Sequence, residues 1–157
     1  MMSRSLASSS DYPRASALTN AELLELPCDV LVLAATENQV TGANAPRVAA
    51  RLIAEGANGP TTLEADDILA EREIIVLPDV LTNGGGVAVS YFEWVQDIQR
   101  LFWGPAEIRK RLTKLMSDAV ERVWSLSETE ALSLRRAALV ASVREVTAAL
   151  ASRGVYP

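Results

Sequence analysis

Three short segments concentrate the residue types that could hold a ligand. Asn83-Gly84-Gly85-Gly86 stands before an amphipathic run. Glycines there permit φ > 0 and let a ligand come close to the backbone. The helix expected to follow would aim unpaired N–H groups back at the turn, an arrangement that receives anions. Ser90, expected in the first turn of that helix, adds a hydroxyl suited to a carboxylate or phosphate. Ala34-Ala35-Thr36-Glu37-Asn38-Gln39 and Gly56-Ala57-Asn58-Gly59-Pro60-Thr61-Thr62 are built alike, from small and amide-bearing residues. Amides donate and accept at once, which suits a neutral carboxamide better than a metal. On spacing alone, a plain flexible turn explains the glycines better than a ligand loop does.

Absences narrow the chemistry further. The 157 residues include no His and one Cys. A Ser-His-Asp triad, a Cys-His pair and an imidazole acid or base are therefore excluded. Cys28 with carboxylates alone is a poor zinc set, so no metal site is expected. A single Cys forms no internal disulfide, and the expected setting is cytoplasmic. Fifteen basic against 20 acidic residues leave a net charge of -5, with the signs interspersed. No basic face for nucleic acid and no basic tract for a membrane surface is expected. The only lysines, Lys110 and Lys114, read as a solvated pair at helical spacing. Trp94 and Trp103 read as core or interface, and Cys28 as a small inert hydrophobe. Glu37, Glu55 and Asp79 stand at strand ends, where capping and solvation account for each singly.

The elements that must position these loops follow from periodicity. Residues 1–17 are Ser-rich, aperiodic and without an apolar signal core, and read as a disordered tail. Thr19 with Glu22 forms a capping box that opens a helix over Ala21–Leu26, stopped by Pro27. Asp29 to Ala35 is a continuous apolar run, expected as a strand buried on both faces. Asn44-Ala45-Pro46 starts a helical turn, and Arg51 to Gly56 is a second strand. Thr61 or Thr62 caps a helix running to about Arg72, and Ile74 to Leu77 is a third strand closed by Pro78. Val87 to Trp103 is amphipathic at helical spacing, with Val87, Tyr91, Trp94, Val95, Ile98 and Phe102 on one side. Gly104-Pro105 opens the next helix, and a last one runs from about Ser133 to Ser152 before Gly154. Strands alternating with helices argue for an α/β layer with a short parallel sheet. In such sheets ligands sit beyond the carboxyl ends of the strands, where the three loops fall.

Taken together these segments are more specific than any one of them. Glu55-Gly56-Ala57-Asn58-Gly59-Pro60-Thr61-Thr62, Pro78-Asp79 and Asn83 through Trp94 resemble the C-terminal part of the glutamate dehydrogenase family, the Glu/Leu/Phe/Val dehydrogenases. Asn44-Ala45-Pro46-Arg47 and the Gly154-Val155-Tyr156-Pro157 ending fit the same region. The resemblance implies a partial Rossmann-like three-layer unit of about three parallel strands followed by C-terminal helices. It implies NAD or NADP as cofactor, and oxidative deamination of L-glutamate to 2-oxoglutarate and ammonia. Ala35, Thr36, Asn58 and Asn83 would then contact the cofactor, the two Asn residues near its nicotinamide. Val87 would touch the amino acid or 2-oxo acid, and Ser90 would hold its carboxylate.

Departures from the family pattern accompany the likeness. Gly84 stands where Ala is usual, Ala88 where Thr is usual, and Leu33 and Leu63 where Pro is common. No GxGxxG turn occurs in the chain, and no segment matches the family's catalytic domain. Residues 18–157 are thus expected to be a truncated dinucleotide-binding domain carrying no catalytic residue. Positioning two reactants is worth roughly 7–11 kcal/mol, which half a cleft does not supply. The lone chain is expected to bind its cofactor weakly or not at all. Its expected partner is the missing half or a full-length relative. A non-catalytic regulatory module and a decayed gene product are the alternatives.

Overall fold

The structure, a computed structural model, describes residues 16–154. The expected tail up to residue 15 and the last three residues of the Gly154 ending lie outside them. The chain opens with α1 (Asn20–Leu24), whose N-cap Thr19 and Glu22 form the expected capping box. The Thr19 backbone N–H, then its hydroxyl, hold the Glu22 carboxyl below its ordinary range. The cap's contribution is present above that ordinary range and is lost as pH falls through the lowered value.

β1 (Cys28–Leu33), β2 (Ala50–Glu55) and β3 (Ile75–Leu77) form one parallel sheet in the order β1-β2-β3. A 3₁₀ turn over Ala45–Arg47 precedes β2, and α2 (Leu63–Glu71) joins β2 to β3. Register pairs Leu31 with Ile53 and Ile53 with Val76, so these side chains share a face. With Leu33 they pack on Leu24 of α1 and on Ala65 and Leu69 of α2. Burying an aliphatic side chain such as Ile53 or Leu69 stabilises by about 1.5–3 kcal/mol, and both are fully buried.

Of the two threonines that could cap α2, Thr62 does so. Its hydroxyl accepts from the Ala65 N–H at 3.3 Å. Thr62→Ala should lower stability by about 1 kcal/mol, read as a lower urea midpoint at unchanged slope.

The expectation that β1 is buried on both faces is corrected. Val30 and Val32 lie on the face opposite Leu31 and are 53% and 60% exposed. Ile75, in register with Leu52 and so with Val30, is exposed too. The run is apolar on both sides, but among the described residues no element covers this side.

The remaining chain is helical: α3 (Asp79–Thr82), α4 (Gly85–Gln99), α5 (Pro105–Glu130) and α6 (Leu134–Arg153). Leu81 of α3, Val123 of α5 and Ala137 and Ala138 of α6 form a second core. The fold class is therefore that of three parallel strands followed by C-terminal helices. Two local expectations differ. α4 ends at Gln99 rather than Trp103, because Arg100 turns left-handed at φ 52°. Its apolar stripe is not core: Val87, Tyr91, Trp94 and Ile98 are exposed, and Phe102 beyond it is 97% exposed. Phe92 is the buried residue instead, with its ring edge-on to Trp103 at 6.0 Å. The Arg111 guanidinium lies over the other aromatic surface of this corner, 4.2 Å from the Trp103 ring. Lys114 pairs with Asp118 at 2.8 Å on the exposed side of α5.

Candidate functional site

The three loops after β1, β2 and β3 meet at one end of the sheet; backbone bonds tie the first to the second, and the Asp79 and Asn83 side chains tie the third to the second. Ala57 N–H donates to the Leu33 carbonyl at 2.7 Å, and Asn38 N–H to the Gly59 carbonyl at 2.9 Å. Gly56 lies so close to the end of β1 that a Cβ there would stand 3.1 Å from that of Ala34. Gly59 takes φ +54°, a left-handed conformation that a side chain would strain. Thr36 accepts from Gln39 Nε2 at 2.7 Å, which fixes the rim of the first loop.

The third loop differs from expectation. Asp79–Thr82 is a short helix, and Asn83 and Gly84 keep helical backbone angles into α4. Gly85 and Gly86 are its first residues rather than an open turn, and Ser90 is its sixth residue, past the first turn. Glycine permits a turn without requiring one, and the helical conformation starts at Asp79, directly after Pro78, earlier than the glycines suggested. The near-continuous helix still sets Asn83, Gly86, Val87 and Ser90 along one face at three- and four-residue spacing.

One open cleft of about 910 Å³ collects these parts. Ala35, Thr36, Asn58, Asn83, Val87 and Ser90 all line it, with Glu37, Gly56 and Gly86 between them. The volume lies in the range of sites for small ligands, roughly 300–1,000 Å³. Asn83 Nδ2 donates to Asn58 Oδ1 at 2.6 Å. That bond leaves the Asn58 Nδ2 amino group and the Asn83 Oδ1 oxygen with no partner among the described residues. A donor beside an acceptor is the complement of a carboxamide. Glu37 is the ionisable side chain lining the cleft, and no Lys or Arg does. Lys110 and Lys114 line a separate surface on α5. Among the described residues no cluster of His, Cys, Asp and Glu could hold a metal ion, and no helix is long and apolar enough to cross a membrane.

Beneath the cleft lies a charged cluster that sequence reasoning did not find. Glu55, the last residue of β2, is fully buried. Its Oε1 accepts from Arg135 Nη2 at 2.7 Å and its Oε2 from the Asp79 backbone N–H at 2.8 Å. Arg135 Nε also donates to Asp66 Oδ2 at 2.6 Å. Burial alone would lower the Arg135 pKa; hydrogen bonds to Asp66 and Glu55 outweigh it and hold the guanidinium more firmly charged than usual. Glu55 and Asp79 are thus structural partners of Arg135. The signal was present: Arg135 is the second residue of α6, where the helix dipole disfavours a cation unless acids face it.

The sequence matches the family described as Glutamate/Leucine/Phenylalanine/Valine dehydrogenase over residues 2–154. The chain belongs to that family. It is 48% identical to the glutamate dehydrogenase of Thermotoga maritima over 146 residues, covering 93% of this chain and 35% of that protein. It is 47% identical over 137 residues to the NADP-specific glutamate dehydrogenase of a Synechocystis species, covering 87% of this chain and 32% of that one. The fold superposes on the hetero-hexameric glutamate dehydrogenase of Thermus thermophilus, in its Leu-bound form, with a TM-score of 0.85. That likeness is 38% identical and covers 95% of this chain and 36% of the other. The chain thus spans about a third of the length of the curated relatives it matches.

Proposed function

We propose that this chain supplies one wall of an amino-acid dehydrogenase cleft, the wall that receives the nicotinamide of NAD or NADP beside the substrate carboxylate. The overall reaction would be oxidative deamination of L-glutamate to 2-oxoglutarate and ammonia. The observation that carries the reading is the shared cleft: all six residues named from sequence line it, and the Asn58–Asn83 pair offers a free donor and a free acceptor toward it.

The nicotinamide end fits these residues. Asn58 and Asn83 would hold the carboxamide, Ala35 and Thr36 would flank the dinucleotide, and small Gly56 and Gly86 leave room for a flat ring. When bound, the nicotinamide accepts a hydride. Val87 would limit the substrate's position, and Ser90 Oγ would donate to its carboxylate. Among the described residues lining the cleft Glu37 is the one ionisable group, and none is a cation for the pyrophosphate or a lysine to polarise the substrate. In this reading those groups come from the other two-thirds of a family enzyme, and residues 18–157 are a truncated dinucleotide-binding domain. The apolar sheet face carrying Val30, Val32 and Ile75 would be covered by that larger part. A cytoplasmic setting accompanies the reading, with Cys28 free.

The test is complementation. Co-expression of this chain with the Thermotoga enzyme lacking its matched third should restore glutamate-dependent formation of NADH or NADPH, while neither part alone does so. A soluble, co-purified complex without that rate would overturn the enzymatic reading. The same open sheet face favours a second reading, a non-catalytic module that docks on a full-length relative. Co-purification with intact relatives and a changed rate, without complementation, would select it.

A further inference from the structure

Arg135 lies on α6, outside the cleft, yet it reaches the two segments that carry the amide pair. Its guanidinium bonds Glu55 at 2.7 Å and lies 3.7 Å from Asp79 Oδ1. Glu55 in turn accepts the Asp79 N–H, and Asp79 Oδ2 accepts the Gly59 N–H at 2.8 Å. The Thr82 hydroxyl donates to the Glu55 carbonyl. Asn58 stands between Glu55 and Gly59, and Asn83 directly follows Thr82. The ends of β2 and α3 are therefore pinned to each other through one cation and one buried carboxylate. Asp66 occupies the remaining side of the guanidinium at 2.6 Å and anchors it to α2. Three acids surround one cation here, and Arg135 is only 16% exposed. Without it Glu55 would be a buried charge with no counter-charge, and it would leave its place or draw water in.

We infer that Arg135 is a positioning residue: through Glu55 and Asp79 it sets the separation and orientation of the Asn58 and Asn83 amides. It touches no ligand. Its consequence for coenzyme binding rests on the nicotinamide reading above, but its effect on geometry does not. The guanidinium fork matters, because an ammonium cannot bond Glu55 and Asp66 in the same fixed plane.

The test uses the full 157-residue chain labelled with ¹⁵N. The side-chain amide signals of Asn58 and Asn83 are assigned by their loss in Asn58→Asp and Asn83→Asp. In the wild type they should show mutual proton contacts. Arg135→Met should abolish those contacts and shift both signals, while backbone amides in the C-terminal half of α6 stay in place. Glu55→Gln, which keeps the side chain's size, should shift both signals in the same direction by less, and serves if Arg135→Met does not fold. Unmoved Asn58 and Asn83 signals in a folded variant would overturn the inference, since a merely stabilising Arg135 would lower the melting temperature alone. In the complemented enzyme Arg135→Met should also raise the coenzyme KM by about tenfold, the scale of losing an oriented hydrogen bond. Shifted amide signals with an unchanged coenzyme KM would uphold the positioning role and contradict the nicotinamide reading.

Discussion

Glutamate use should collapse when Ser90 becomes Asp. The vehicle is a chimera in which residues 18–154 replace the matching third of the Thermotoga enzyme, to which the chain is 48% identical. Ser90 lines the cleft from the exposed face of α4, so an Asp there meets no packing obstacle. Its carboxylate would stand where the substrate carboxylate is proposed to sit. Two unit charges about 4 Å apart repel by about 4 kcal/mol at an effective dielectric near 20, close to 10³-fold in affinity. The expected result is a KM for glutamate raised by about 10²–10³, the lower figure allowing for solvent in an open cleft, at unchanged coenzyme affinity. Ser90→Ala should cost about tenfold, the loss of one hydrogen bond to a charged group. Equal effects on glutamate and coenzyme would place Ser90 elsewhere in the cleft.

The second large effect is on assembly. Val30 and Val32 point to the open face of β1, and neither contributes to the core around Ile53. Replacing both with Glu should leave the isolated chain folded, since exposed positions change stability by about 0.5 kcal/mol or less. Docking onto the rest of a family enzyme would be another matter. Burying each Val is worth about 1.5–3 kcal/mol, and burying an unpaired carboxylate costs several more. Co-purification with the shortened Thermotoga enzyme should fall by at least about 10³-fold in affinity, with the circular dichroism of the free chain unchanged. Retained co-purification would show that this face is not the docking surface.

Much of the fold could be read from local chemistry. The Thr19–Glu22 box, the apolar strand runs and the proline and glycine stops each act within a few residues, and apart from the unexpected α3 each element lies within a few residues of its expected place. The cleft was legible for a related reason: parallel strands put their carboxyl-end loops on one side, so residues far apart in sequence meet there. What periodicity could not show is what lies opposite an apolar side chain. Val30, Val32 and the α4 stripe look like core residues in sequence, and their exposure depends on which elements surround them. The start of α4 was misplaced because three glycines allow both turn and helix, and here they continue the helical backbone that begins at Asp79. Arg135 was missed because its partner Glu55 stands 80 residues away: a cation in the first turn of α6 signals that acids face it, but not which acids.

The most direct measurement is a crystal structure of the chimera with NAD or NADP and 2-oxoglutarate bound. The nicotinamide carboxamide should lie about 3 Å from Asn58 Nδ2 and Asn83 Oδ1, with a substrate carboxylate oxygen at a like distance from Ser90 Oγ. A nicotinamide bound away from the Asn58–Asn83 pair, or a substrate carboxylate that leaves Ser90 untouched, would contradict the assignment of this wall.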